Sequence, residues 1–489
     1  MAKLKSHFRV VYEGTRWKII FGSYKDNIEK FAINEIQKMV QSLFPYVMET
    51  VPALGLSLKK HDEHLIIVGT SSSNILIREL EKKKKIQIPR KAEAYGISIL
   101  KSPWNPERKV IVIGGHDTKG LLNGIEDFNA RVLEVEHSQE KLEEIADLSF
   151  SDYPRIQYRG IWTWGYVIYD YRRFLDNMAR LRMNMLTIWN DQVPVNIDDI
   201  IDYAHSRGIK VVLGFHWGWG HTGIDLSKKE DVKLLKKEII DNYTKNYSHI
   251  KHDGIYFQTL TEHHNTEIGG KSLAEIVCAM VNEIGGAILK KYPGLHIQFG
   301  LHATSIVDDY KDLEKLDKRI NIVWEDAGAM PYLYIPELNK SRVKGLETID
   351  ATIGYSKKLA AMRGCLEFSS VPKGFCALRW GAEFENHDSF ILGERSNAFM
   401  EKRLEQRTKH WQKINGLWMA NYKNAVKFYR EVLKVKPETT IATALVEDGN
   451  FENCIQSSIV LFSAILWNPD TDEDILPRIA HSSYFKEIE

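Results

Sequence analysis

The residues best suited to chemistry lie where short apolar runs end in polar side chains. In Asp253–His264, DGIYFQTLTEHH, bulky apolar residues are followed by Glu262 with His263 behind it. Similar clusters follow other apolar runs along the chain. In a (β/α)8 barrel the C-terminal ends of the strands form the active-site face, so a carboxylate there is a catalytic candidate. Taken alone, Glu262 would more simply be a helix cap, and it is the recurrence of such clusters that favours a barrel active site.

The predicted pocket combines carboxylates, histidines, amides and indole rings. The candidate catalytic residues are Glu262, Glu325 and Asp326. The candidate substrate-binding residues are Trp162, Trp164, Asn190, Asp191, His216, Trp217, Trp219, His263, His302, Arg379, Trp380, Glu383 and Trp467. Hydrolysis of a glycosidic bond needs a protonated carboxyl group for the leaving oxygen and an ionised carboxylate that activates water or attacks the anomeric carbon. Indole rings would stack on the apolar faces of sugar rings, so the set favours a glycoside hydrolase.

Several residues also have simpler interpretations. Glu325 could be a partner of Arg379 rather than a base, Asp326 could cap the turn after its strand, and the indole rings of Trp217 and Trp219 could be plain packing. Two rival functions stay open as well. A sugar isomerase or amidohydrolase would use strand-end histidines (His216, His221, His263 and His302) to hold a metal, although no compact HExxH pattern is present. A non-catalytic relative would keep the indole rings for glycan binding without turnover. We expect neither a metal nor another cofactor, because phosphate-loop and dinucleotide-binding glycine patterns are also missing from the sequence.

Six alternating strands and helices must position these groups. The predicted strands are Gly160–Trp164, Met185–Trp189, Lys210–Phe215, Gly254–Thr259, Leu295–Gly300 and Asn321–Trp324. Gly374–Trp380 and Ile459–Trp467 are the candidates for strands seven and eight, with long helices at 395–411 and 422–435 between them. We therefore predict an α/β fold: a (β/α)8 TIM barrel over 154–489 with a helical C-terminal addition. A small α+β domain (1–133) and an acidic linker (134–153) precede the barrel.

The order of elements in the first domain resembles a known accessory domain. The segment Ala94–Ile97 followed by Gly115–Gly124 resembles the domain that precedes the barrel in β-N-acetylhexosaminidases (glycoside hydrolase family 20) and α-glucuronidases (family 67). The resemblance covers about 100 residues and implies a catalytic barrel behind it. It also implies that Glu262, at the end of strand four, is the general acid.

The resemblance carries over to the other catalytic groups only in part. Thr261 stands where the hexosaminidases have the Asp that orients the substrate's acetamide group, so the sequence does not favour substrate-assisted chemistry. The α-glucuronidases are inverting, and Glu325, Asp326 or Glu383 would match their bases. Gln258 stands where those enzymes have a uronate-binding Lys, so a neutral or differently substituted sugar is at least an equal expectation.

Composition limits the partners and the compartment. The chain has 489 residues, a net charge of +1 and 44% hydrophobic residues, typical of a soluble globular protein. The charge balance gives no drive toward nucleic acid or an anionic membrane. Four cysteines without CxxC spacing, and an N-terminus without a secretory apolar segment, indicate a cytoplasmic protein. The expected partner is an oligosaccharide or glycoside substrate, and a homodimer is possible.

Overall fold

The fold is taken from a computed structural model of the chain. It describes residues 12–59, 61–164, 168–189, 193–218, 223–259, 261, 266–302, 306–325, 328–333, 344–364, 366–372, 375, 391, 393, 397–446, 450–453 and 455–482. For residues 164, 399, 400, 403, 450 and 453 only the backbone is described. The chain divides into two compact units, Met1–Tyr153 and Pro154–Glu489. Among the described residues, no helix combines the length and the apolar character needed to cross a membrane.

The N-terminal unit is a six-stranded sheet with helices in the connections. Its elements are β1 (Trp17–Phe21), α1 (Asn27–Ser42), β2 (Glu49–Pro52), β3 (His64–Thr70), α2 (Ile75–Lys82), β4 (Tyr95–Lys101), β5 (Lys109–Gly115), α3 (Thr118–Asp127) and β6 (Leu148–Asp152). The strand order is β2-β1-β3-β5-β4-β6, with β4 antiparallel to both of its neighbours. β3 is buried along its whole length, which explains its unbroken run of branched apolar residues.

Local signals in this unit behave as the sequence predicts, with one difference. The side chain of Asp117 caps α3 by accepting a hydrogen bond from Gly120 N at 2.7 Å, as expected. The predicted hairpin partner of β1, residues 8–12, lies outside the described residues except for Tyr12, and the two edges of β1 pair with β2 and β3 as parallel neighbours. The segment 134–153, expected as a linker, contributes the edge strand β6, whose Phe150 pairs with Ile97 of β4.

The second unit is a closed barrel of eight parallel strands. Its elements are β7 (Tyr158–Trp164), α4 (Tyr171–Arg180), β8 (Met185–Trp189), α5 (Ile197–His205), β9 (Lys210–His216), α6 (Lys229–Asn242), β10 (Gly254–Gln258), β11 (Glu267–Ile268), β12 (Lys271–Ser272), α7 (Leu273–Lys291), β13 (Ile297–His302), β14 (Ile320–Glu325), α8 (Ile349–Met362), β15 (Phe368–Ser370), α9 (Asn397–Leu433), β16 (Thr440–Leu445), α10 (Asn450–Asn453), α11 (Ser457–Trp467) and α12 (Ile475–Ala480). The order around the barrel is β10-β13-β14-β15-β16-β7-β8-β9. The predicted (β/α)8 barrel is confirmed.

Strands one to six lie where the sequence predicts them, and strand eight does not. Strand seven is β15 and strand eight is β16, so the candidate for strand eight was wrong, whereas the candidate for strand seven, Gly374–Trp380, lies outside the described residues except for Phe375. Residues 459–467 belong to α11, a helix whose residues from Ser458 to Trp467 are all buried. A short, continuous apolar run is compatible with a buried strand or a buried helix, and periodicity cannot separate the two. Of the other candidate segment, the described Phe375 forms an isolated parallel bridge to Val446.

Candidate active site

The barrel interior changes character along its axis. Its core is an apolar cluster contributed by most of the strands: Trp162, Met185, Trp189, Val212, Tyr256, Val323, Val371, Ile441 and Leu445. Toward the C-terminal ends of β10, β13 and β14 the inward-facing residues become polar. They are Gln258, His302 and Glu325, and the hydroxyl of Tyr256 joins them from the apolar cluster. In a (β/α)8 barrel this is the end at which catalysis takes place.

Glu325 is the centre of this polar cluster. Its Oε1 accepts hydrogen bonds from the Tyr256 hydroxyl and from Gln258 Nε2, the latter at 2.6 Å. Its Oε2 lies 3.5 Å from Nε2 of His302. All four residues are at most 1% exposed. A carboxylate accepts hydrogen bonds and donates none, so the two donors on one oxygen suit the ionised form of Glu325.

The two donors reach Glu325 across an intervening strand. β13 lies between β10 and β14 in the barrel, and Gly300 of β13 is the register partner of Gln258. A Cβ atom on Gly300 would lie 2.0 Å from the Tyr256 hydroxyl oxygen and 2.8 Å from Glu325 Oε1. Real Cβ atoms do not approach this closely, so the missing side chain of Gly300 gives the hydrogen bonds the space they need.

His302 reaches the carboxylate by a shorter route. It is the register partner of Glu325 on the adjacent strand, and both residues end their strands. Side chains at such paired positions on one face of a sheet lie side by side. Strand pairing therefore places the imidazole beside the carboxylate.

The structure brings only part of the predicted site together. Glu325 and His302 meet as described. Trp162 belongs to the apolar cluster, with its ring 5.4 Å from that of Tyr256. His216 ends β9 next to Gln258 and is partly exposed. Glu262, Asp326, Asn190, Asp191, Trp219, His263, Arg379, Trp380, Glu383 and the side chain of Trp164 lie outside the described residues.

Two of the indole rings that were predicted to bind sugar pack against other side chains, away from the polar cluster around Glu325. Trp217 is fully buried and stacks on Phe257, whose side chain alternates to the outer face of β10 relative to Tyr256 and Gln258. Trp467 is 2% exposed and ends α11. Its ring contacts Arg159 and Arg182, and Arg159 stands near the start of β7. It therefore lies at the opposite end of the barrel from Glu325, contrary to the strand-end position predicted for it.

Sequence reasoning missed Tyr256 and the role of Gln258 as a donor. Both look like ordinary filling of a buried strand in the printed sequence. The available signal was their spacing, because residues two apart on one strand face the same side. Two inward polar atoms just before the end of strand four could have been expected to enter the same pocket as Glu325.

The rival metal site finds no support in the described residues. Within them, no group of three or more His, Cys, Asp and Glu side chains is arranged to hold a metal ion. His216 and His302 end β9 and β13, two strands that β10 separates. His221 and His263 lie outside the described residues, so the four-histidine site stays a prediction.

Comparison with solved structures gives a likeness of fold at low sequence identity. CpGH84B has a TM-score of 0.51 and 12% identity, over 96% of this chain and 70% of that chain. The β-N-acetylhexosaminidase from Bacteroides fragilis NCTC 9343 has a TM-score of 0.47 and 13% identity, over 94% and 88% of the two chains. The GH20 exo-β-N-acetylglucosaminidase from Vibrio harveyi, solved with N-acetylglucosamine, has a TM-score of 0.47 and 10% identity, over 96% and 73%.

The sequence matches no protein-family model, and the comparison with curated proteins gives no match. What the likeness to CpGH84B shows is therefore the fold, which includes the closed (β/α)8 barrel that the sequence predicts.

Proposed function

We propose that this protein is a glycoside hydrolase that acts from the end of an oligosaccharide. The observation that carries the proposal is Glu325, a buried carboxylate at the C-terminal end of a barrel strand, held by Tyr256 and Gln258 and lying beside His302. The likeness of fold to CpGH84B, whose name carries a glycoside hydrolase family number, supports the same reaction class.

In this proposal the carboxyl groups of Glu262 and Glu325 have different roles. Glu262, four residues after the end of β10, is the general acid that protonates the leaving oxygen. Glu325 is the base that takes a proton from the attacking water, with inversion at the anomeric carbon. The two donors on Oε1 fix the plane of the carboxylate, so that Oε2 is the oxygen that receives the proton. Asp326 and Glu383 are the alternative bases.

The surroundings of Glu325 suit a base that must stay in one orientation. Tyr256 and Gln258 are almost wholly buried, so water does not compete for their hydrogen bonds to Glu325, and His302 is buried beside them. Polar groups that are already oriented cost little reorganisation during the reaction, and this is the main source of electrostatic catalysis. A base held in this way needs no movement of the barrel when substrate binds.

The experiment is a screen of the purified full-length protein against nitrophenyl glycosides of both anomers, including glucosides, N-acetylhexosaminides and glucuronides. We expect turnover of one sugar, and Glu262→Gln should lower that turnover by at least about 10²-fold, the range expected for loss of a general acid. Glu283→Gln, an exposed glutamate on α7, is the matched control and should keep full activity.

Two results would overturn the proposal. Unchanged turnover in Glu262→Gln would remove Glu262 from the mechanism. Silence across the whole panel, with a stoichiometric divalent metal found by elemental analysis, would favour the histidine-based enzyme instead. The stereochemical outcome follows from proton NMR of the first sugar released, where the opposite anomer indicates inversion.

A further inference from the structure

We infer that Gln258 selects an uncharged sugar by accepting a hydrogen bond from one of its hydroxyl or amide N–H groups; this inference rests on the proposed function. Gln258 is fully buried at the end of β10, in the polar cluster around Glu325.

The hydrogen bond to Glu325 fixes which way the amide points. Because a carboxylate can only accept, the Gln258 atom 2.6 Å from Glu325 Oε1 must be the NH2 nitrogen. The amide oxygen Oε1 of Gln258 therefore points away from Glu325. Among the described residues it has no hydrogen-bond partner, although it is buried.

A buried acceptor without a partner is rare in folded proteins and calls for an explanation. The companion donor, Tyr256, uses its hydroxyl proton on Glu325, and its phenolic oxygen can still accept a hydrogen bond. Gln258 differs because its buried amide oxygen has no partner among the described residues, so it can both hold the base and meet a substrate. A sugar hydroxyl or an acetamide N–H would complete its hydrogen bonding.

The charges of the described residues around Gln258 weigh against an anionic group at this place. Such a group at Gln258 would stand beside the carboxylate of Glu325. The described residues that end the eight strands include no Lys or Arg that could offset the repulsion. Like charges brought together in a water-excluded site are strongly unfavourable. The geometry therefore points to a neutral sugar ring and against a uronic acid.

The test uses nitrophenyl 1-thioglycosides, which bind without being hydrolysed, so binding is measured apart from turnover. Each neutral thioglycoside, the glucoside and the galactoside, is paired with its uronide, which differs only in carrying a carboxylate at C6. Calorimetry on the full-length protein should give a Kd at least about tenfold lower for a neutral sugar than for its uronide.

Variants then assign the selectivity to Gln258. Gln258→Met, similar in size but without polar atoms, should weaken binding of the neutral sugar by about tenfold. Gln258→Lys should reduce or reverse the preference for the neutral sugar over its uronide. Tyr256→Phe removes the other donor to Glu325 and should lower kcat while leaving the preference unchanged. Gln298→Met, the same exchange at a buried glutamine on β13, is the matched control.

Three outcomes would overturn the inference: equal or tighter binding of the uronide by the unaltered protein, no binding of either neutral thioglycoside, or unchanged affinity in a folded Gln258→Met. The first two do not depend on any variant folding. Selective binding without hydrolysis of any glycoside would leave the inference standing and overturn the hydrolase. Hydrolysis of a glycoside with a sugar preference that is unchanged in the Gln258 variants would leave the hydrolase standing and overturn the inference.

Discussion

Two buried glutamates, one in each unit, show how differently a carboxylate can be accommodated. Glu29 in the N-terminal unit and Glu325 in the barrel are both fully buried. Glu29 lies in the first turn of α1, where its Oε2 accepts from Lys25 N at 2.9 Å and its Oε1 from the Ser73 hydroxyl. Glu325 ends a barrel strand and takes its hydrogen bonds from side chains on another strand.

The position of Glu29 has a structural explanation. Its backbone N–H donates to Asp26, the N-cap of α1, while its own side chain reaches back to the residue before that cap. Reciprocal bonds of this kind satisfy the open end of a helix, and the helix dipole favours a negative charge there. Burial raises the pKa of the Glu29 carboxyl despite these hydrogen bonds, so its charge is a cost that the local structure offsets.

Glu325 is held differently. In the part of the chain that the structure describes it caps no helix, and the two donors to its Oε1 come from β10, on the far side of β13. Because residue 300 is a glycine, there is room for the hydrogen bond between Tyr256 and Glu325. The comparison teaches that burial of an acid is not by itself a sign of function. What distinguishes Glu325 is that donors on β10 and a glycine on β13 together hold it in place.

The largest expected difference between the two glutamates is in activity. Glu325→Gln should lower kcat/KM by about 10²–10⁴-fold, the usual contribution of a general base, and leave the fold intact because the amide has nearly the same shape. Steady-state kinetics on the glycoside found in the screen, together with circular dichroism, checks this. Activity within twofold of the unaltered protein would remove Glu325 from the proposed mechanism.

Glu29→Ala is the opposite case. It leaves the Ser73 hydroxyl and Lys25 N–H without their acceptor, which should destabilise the N-terminal unit by about 1–3 kcal/mol. The thermal midpoint should fall while kcat of the protein still folded stays within twofold. A large loss of kcat at a temperature where the variant is fully folded would show that the division between the two glutamates is wrong.

Gly300→Ala tests the space that the barrel reserves for Glu325. The added methyl group would collide with Tyr256 and Glu325, so we expect a loss of about 1–3 kcal/mol in stability, as for overpacked cores, and a loss of activity. Gly286→Ala, on α7 with no atom within 4 Å of the new Cβ, is the control. It should be neutral or stabilise the helix by about 0.5–1 kcal/mol. Equal behaviour of the two alanine variants would contradict the role of Gly300.

These contrasts also show where sequence reasoning succeeds and fails. Strands one to six could be predicted because each is an apolar run ended by polar residues, and the ends of β13 and β14 gave His302 and Glu325. β15 is only three residues long, and β16 is rich in small residues, so neither resembles the other strands in sequence. The apolar helix α11 does resemble them, and it was therefore mistaken for a strand.

Trp467 was misplaced because its apolar run is a helix rather than a strand, and the other differences within the site come from the direction of side chains. Trp217 follows His216 directly, and alternation along a strand sends neighbours to opposite faces, so it packs on Phe257 outside the barrel. Tyr256 points inward by the same rule but resembles core packing in the sequence. The need for Gly300 depends on the register of three strands, which no short motif encodes.

The smallest expected effect concerns a third carboxylate, Asp253, which is only partly buried and pairs with His205 at 2.8 Å. The hydrogen bond from Asp253 raises the pKa of His205. Burial acts to raise the pKa of Asp253, but the hydrogen bonds from His205 and Val211 N lower it overall. The histidine's contribution to stability is therefore complete below its unfolded pKa, about 6.5, and is lost as pH rises through the higher folded value. The aspartate's contribution is present above about pH 3.9 and is lost as pH falls through its lowered value.

The pair should consequently stabilise the barrel most between about pH 4 and 6.5. His205→Gln keeps a neutral donor for Asp253 but removes the charge, so it should cost at most about 0.5–1 kcal/mol at pH 5.5 and almost nothing at pH 8.5, since partly exposed pairs are screened by solvent. Urea unfolding of both proteins at the two pH values measures the difference. A penalty that is the same at pH 8.5 would mean that shape, rather than charge, makes His205 matter. Asp253 would then resemble Glu29, a carboxylate held by local packing, and Glu325 would remain the carboxylate whose surroundings are built around its charge.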